Sequence, residues 1–117
     1  MTTAVWLPVG VRDLLADPAA LTCWLQSLPP EAVCGVCGEP ESCIVHSFLD
    51  WACVGDYISV GKYDILVGSN EVDAIQFDLP DWCRVYVAAV DAFGKGCMLN
   101  AGDALAILLS VTEALAA

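Results

Sequence analysis

A chain of 117 residues carrying fifteen acidic against four basic side chains, with a net charge of −11 and 58% hydrophobic residues, has the length of one domain and a buried core. The charge excludes direct binding to nucleic acid or to an anionic membrane, and it favours a basic partner. A mean hydropathy of +0.67 invites a membrane span, yet the longest apolar candidate, Ala104 to Val111, contains Ser110 and falls far short of the ~18 to 20 residues required.

Residues 1 to 10 are apolar without a period. Pro8 and Gly10 interrupt them, which reads as a loose arm or a short edge strand. Arg12 to Ala16 has the pattern of a helical turn. Asp17-Pro18 then places an acidic N-cap before a proline at the first helical position, and Leu21, Trp24, Leu25 and Leu28 recur at helical spacing, so a helix is expected over about 18 to 28. Pro29-Pro30 ends it.

Ala32 to Val36 reads as a short strand that enters a loop containing Gly35, Gly38 and Pro40. A second helix is expected from about Glu41 to Cys53, with Ile44, Phe48, Trp51 and Ala52 on one face and Val45 and Leu49 widening it. Gly55 closes it. From Asp56 to Leu79 the period falls to two, over Tyr57 to Val60, Tyr63 to Val67 and Ala74 to Leu79. Gly61-Lys62 and Gly68-Ser69-Asn70 stand where turns are needed, giving two hairpins. In the last strand Ile75, Phe77 and Leu79 face one way and Gln76 and Asp78 the other, so the sheet has one wet face.

Pro80 opens a helix in which Trp82, Val85, Tyr86, Ala89, Val90 and Phe93 form a stripe; Gly94 and Gly96 end it. Asn100 and Asp103 resemble a weak capping box for a final helix to about Leu115, packed through Leu105, Leu108, Val111 and Leu115. Ile107 and Leu109 broaden its apolar surface and mark it as the interface of a homodimer or with a partner. The order of elements predicts a single α+β domain, a two-layer arrangement of a small mixed or antiparallel sheet of three to four strands with helices mainly on one face. The strand near 32 to 36, its following helix and the strand near 57 to 60 fit a right-handed crossover.

The densest chemistry is Cys34-Gly35-Val36-Cys37 followed by Cys43 and His46, three of the seven cysteines and the one histidine within thirteen residues. The spacing C-x2-C-x5-C-x2-H offers four zinc ligands, with Cys43 and His46 on one helical face. The gap of five is shorter than in common ribbon and finger patterns. Buried thiols filling a core are the competing reading. The C-x-x-C form also allows a dithiol redox protein, although Gly38 and Pro40 intervene before any helix whose dipole could activate the thiol. His46 and Asp50 lie one turn apart without an oxyanion turn, and Gly94-Lys95-Gly96 is too short for a phosphate loop. No catalytic residue is assigned. The odd cysteine count and an N-terminus without a signal-like run place the chain in a reducing, cytoplasmic setting, and the core is large enough that no cofactor is required.

Acidic residues concentrate between Glu39 and Asp81: Glu39, Glu41, Asp50, Asp56, Asp64, Glu71, Asp73, Asp78 and Asp81, opposed by Lys62 alone. Carboxylates spread over hairpins can imitate duplex phosphates and occupy the basic channel of a nucleic-acid-handling protein. This is the profile, in class rather than in motif, of a phage-type inhibitor of a defence enzyme of the CRISPR kind. The leading expectation is therefore a small acidic, non-enzymatic binding protein using Asp56, Asp64, Glu71, Asp73 and Asp78. A zinc-stabilised interaction module and a dithiol redox protein are the alternatives.

Overall fold

In a computed structural model describing residues 7–39, 43–52, 56–94 and 96–116, the chain forms α1 (Leu7–Leu15), α2 (Ala19–Ser27), β1 (Val33–Val36), α3 (Ile44–Trp51) and β2 (Tyr57–Val60). These are followed by β3 (Asp64–Gly68), β4 (Ile75–Asp78), α4 (Asp81–Asp91), β5 (Met98–Asn100) and α5 (Ala101–Ala116). The α+β class agrees with the sequence. Residues 1 to 6 of the expected arm lie outside the described residues, but 7 to 10 belong to α1 rather than to an arm or edge strand. Proline in the first turn removes an N–H that has no intrahelical partner anyway. Glycine costs about 1 kcal/mol there, and burial of Val11 and Leu15 one turn apart offsets it.

The strands divide into two antiparallel sheets, β1-β5 and β2-β3-β4. The expected crossover is absent, because β1 and β2 belong to different sheets and β1 pairs with β5, a strand that the sequence pattern did not reveal. Three residues after a glycine-rich turn carry too little alternation to register as a strand. The meander matches expectation: Val60 faces Ile65, Ile65 faces Phe77, and Leu66 faces Gln76. Ile58, Val60, Ile65 and Val67 are buried on the inner face, while Gln76 and Asp78 lie on the outer one.

One cluster of buried side chains unites all the helices and both sheets, with Leu21, Ile44, Phe48, Leu49, Tyr86 and Leu108 among its members. Polar atoms stitch it together. The Trp82 indole donates to the carbonyl of Leu15 at 2.9 Å, satisfying one of the orphan acceptors at the end of α1. The Tyr86 hydroxyl donates to Ala104 at 3.0 Å, joining α4 to α5. Asn100 caps α5 by accepting from the Asp103 N–H at 2.8 Å, and Asp17 accepts from Ala19 at 2.8 Å before α2.

Periodicity located the axis of each buried stripe more accurately than its flanks. In α4, Trp82, Tyr86 and Val90 are buried as expected, but Cys83 and Val87 complete the face while Val85 and Phe93 are exposed. In α3, Trp51 is exposed and stacks on Phe48 with ring centroids 6.3 Å apart. Gly94 and Gly96 both have positive φ, which ends α4 and turns the chain into β5.

Candidate functional site

The five acidic residues singled out in the sequence fall into two groups on the meander. Asp64 and Asp78 are direct cross-strand partners, so their carboxylates share the outer face at one end of β3. Like charges placed opposite each other are locally unfavourable. The amide of Gln76 donates to Asp64 and lies on the same face. Glu71 and Asp73 occupy the β3-β4 turn at the other end. Asp56 precedes Tyr57, which pairs with Gly68, so it belongs to that same end. The five-residue strand β3, roughly 13 Å long, lies between the groups.

The turn is built rather than loose. Asn70 accepts from the Asp73 N–H at 2.9 Å and donates to the Asp73 carboxylate at 3.1 Å. Between Glu71 and Asp73, Val72 is 91% exposed, and Asn70 and Val72 are site residues that charge counting did not find. The sequence signal was there, an Asn three residues before an Asp in a turn. The acidity is largely uncompensated: among the described residues the ion pair is Arg84 with Asp81. Arg12 sits 6.0 Å over the Phe77 ring on the inner side. Glu41 and Lys95 lie outside the described residues.

The cysteine-rich stretch has a different architecture. Cys43 is the N-cap of α3 and not a residue within it; its sulfur accepts from the backbone N–H of His46 at 3.5 Å. The three-residue spacing thus serves a cap, made by the His46 backbone and not by its imidazole. Cys34 is buried on β1, and its thiol donates to the Leu99 carbonyl at 3.6 Å. Cys37 is 0% exposed just beyond β1, whereas the His46 side chain is half-buried. Among the described residues no three His, Cys, Asp or Glu side chains gather as a metal site.

These thiols lie near enough to Tyr86 to act on it electrostatically. Burial, and then the nearby Cys34, Cys83, Cys43 and Cys37, push its hydroxyl above the ordinary range. Burial raises the Cys34 thiol to about 11 and, with a smaller contribution from Cys43, the Cys83 thiol to about 12. Cys43 is raised by burial despite its place at a helix N-terminus and the N–H groups it faces. At neutral pH such thiols are protonated and weakly nucleophilic.

The two residues singled out on the last helix are separated. Ile107 lines an apolar groove of about 440 Å³ between α4 and α5 with Ala89, Phe93, Ser110 and Val111. Leu109 is exposed but lies two residues on, roughly 200° around the helix, and does not line the groove. Among the described residues no helix is long and apolar enough to cross a membrane. No family model, curated protein or solved structure matches the chain, so its functional reading rests on the site itself.

Proposed function

We propose that this is a non-enzymatic binding protein whose acidic meander occupies a basic surface on a nucleic-acid-handling protein, acting as an inhibitor in the manner of small phage proteins. The observation that carries the reading is the arrangement of the five carboxylates. They form two groups at opposite ends of β3, a separation on the order of the spacing between duplex phosphate rows, on a sheet whose own cations do not neutralise them. The facing pair Asp64 and Asp78 is costly in the free protein, and a cation from a partner removes that cost. Val72 supplies an apolar contact at the rigid tip between two charges.

The test is displacement of a fluorescent DNA duplex from a panel of arginine-rich DNA-binding proteins. The wild-type chain displaces the duplex from its target, and its apparent affinity falls on the order of tenfold between low and physiological salt. The variant D64K/E71K/D73K loses displacement. A control, D13K/D50K/E113K, has the same net charge and places its changes on exposed helix positions; it retains displacement. Equal loss in both variants would show that acidity acts only as bulk charge, and the proposal would fall.

A second copy of the chain is the proposed occupant of the α4-α5 groove, because its lining includes no charged side chain and Phe93 within it is 51% exposed. Sedimentation equilibrium checks this: a dimer is expected for the wild-type chain and a monomer for Ile107→Glu. A wild-type monomer at high micromolar concentration removes it.

A further inference from the structure

We infer that Cys97 and Cys37 form a two-thiol site that exchanges with low-molecular-weight disulfides, Cys97 as the attacking thiol and Cys37 as the resolving one. The pairing is not the C-x-x-C pair visible in the sequence. It arises from the β1-β5 ladder, in which Val36 faces Met98 and Gly35 faces Leu99. Just beyond the ladder a glycine bulge, with Gly96 at positive φ, sets Cys37 against Gly96 and Cys97 together. Two backbone bonds hold the juxtaposition: the Cys37 N–H donates to the Cys97 carbonyl at 2.9 Å, and the Gly96 N–H donates to the Cys37 carbonyl at 2.8 Å.

Facing residues of an antiparallel pair have Cα atoms about 4.5 to 5.5 Å apart, inside the ~4.4 to 6.8 Å window that a disulfide requires. The Cys97 thiol is close enough to raise the Cys37 thiol, after burial itself.

Access is divided between the two. Cys97 is exposed while Cys37 is fully buried, so a small disulfide reaches only the first. The Cys97 sulfur lies over Gly94, only 2.9 Å from where a Cβ at that residue would stand, and Gly96 faces open space. The two glycines leave the thiol room to turn. In the first step the Cys97 thiolate attacks one sulfur of oxidised glutathione, forming a mixed disulfide and releasing one glutathione thiolate. In the second step Cys37, giving up its proton to solvent at alkaline pH, attacks the Cys97 sulfur, forming the Cys37–Cys97 bond and expelling the second glutathione as thiolate. Two protein thiols are oxidised and one glutathione disulfide is reduced to two thiols, with the two protons passing to solvent and the departing thiolates.

Peptide mapping by mass spectrometry after incubation of the folded chain with oxidised glutathione at mildly alkaline pH tests the site. The expected product is a linked peptide joining Cys37 to Cys97, with the intact mass lowered by two hydrogens. Cys37→Ser is expected to retain one glutathionyl group on Cys97. Cys97→Ser, at an exposed position that folding tolerates, is expected to leave Cys37 unmodified and unlinked. A linked peptide joining Cys34 to Cys37, or a wild-type chain that stops at the Cys97 mixed disulfide, would overturn the inference.

Discussion

Gly35→Ala is expected to abolish the native fold or to destabilise it by about 3 kcal/mol or more, measured as loss of cooperative chemical unfolding or a large fall in its midpoint. A Cβ at this position would stand 2.7 Å from the backbone nitrogen of Ile44 and 2.9 Å from the backbone carbon of Cys43. The Ile44 side chain, 2.6 Å away, could rotate, but backbone atoms at the start of a capped helix cannot yield independently. Overpacking commonly costs about 1 to 3 kcal/mol when side chains alone must adjust, and here α3 must separate from β1. That contact also seats the Cys43 cap and the fully buried Ile44, Val45, Phe48 and Leu49. Against a typical total stability of about 5 to 15 kcal/mol, the loss is large. Gly96→Ala serves as the comparison: no atom lies within 4 Å of its Cβ, so its smaller cost comes only from the positive φ.

Alkaline unfolding is the second large effect. Cys34 and Cys83 are raised in the folded chain to about 11 and about 12 from an ordinary value of 9.0. Below pH 9 both states hold these protons and pH has no influence through them. Between pH 9 and the folded values the unfolded chain releases protons that the native chain keeps, so stability falls as pH rises. Each such thiol contributes a slope on the order of 1 kcal/mol per pH unit in that window. The raised Tyr86 hydroxyl acts in the same direction starting from its higher ordinary value. Thermal midpoints measured from pH 7 to 11 should be flat at first and then drop steeply. Cys83→Ala should start lower, through the lost packing, and fall less steeply. A wild-type midpoint that stays flat to pH 11 would contradict the buried, protonated state of these thiols.

Part of this behaviour was legible without coordinates. The alternation of Phe77 and Leu79 against Gln76 and Asp78 gave the wet face of the meander because strand periodicity is independent of what the strand packs on, although Ile75, expected inward, is exposed. Asp17, Asn100 and Gly94 announced helix ends through local backbone chemistry. The Cys43 sulfur caps α3 through the His46 N–H, a contact that spacing alone does not announce. Locality misled at Pro8 and Gly10, where tertiary burial of Val11 and Leu15 overrode propensity.

By itself, the sequence determined the α+β class, the order of most elements, the acidic excess and the meander, since each follows from short-range periodicity, turn chemistry or simple charge. Tertiary structure alone decided which residues meet across long separations. Backbone bonds beyond the β1-β5 ladder join Cys37 to Cys97, the Tyr86 hydroxyl reaches the Ala104 carbonyl across α4 and α5, and the register of β3 with β4 divides five carboxylates into two groups. None of these has a sequence signature. Pairing partners are chosen by the shared burial of whole faces, a property of the assembled core rather than of any one segment.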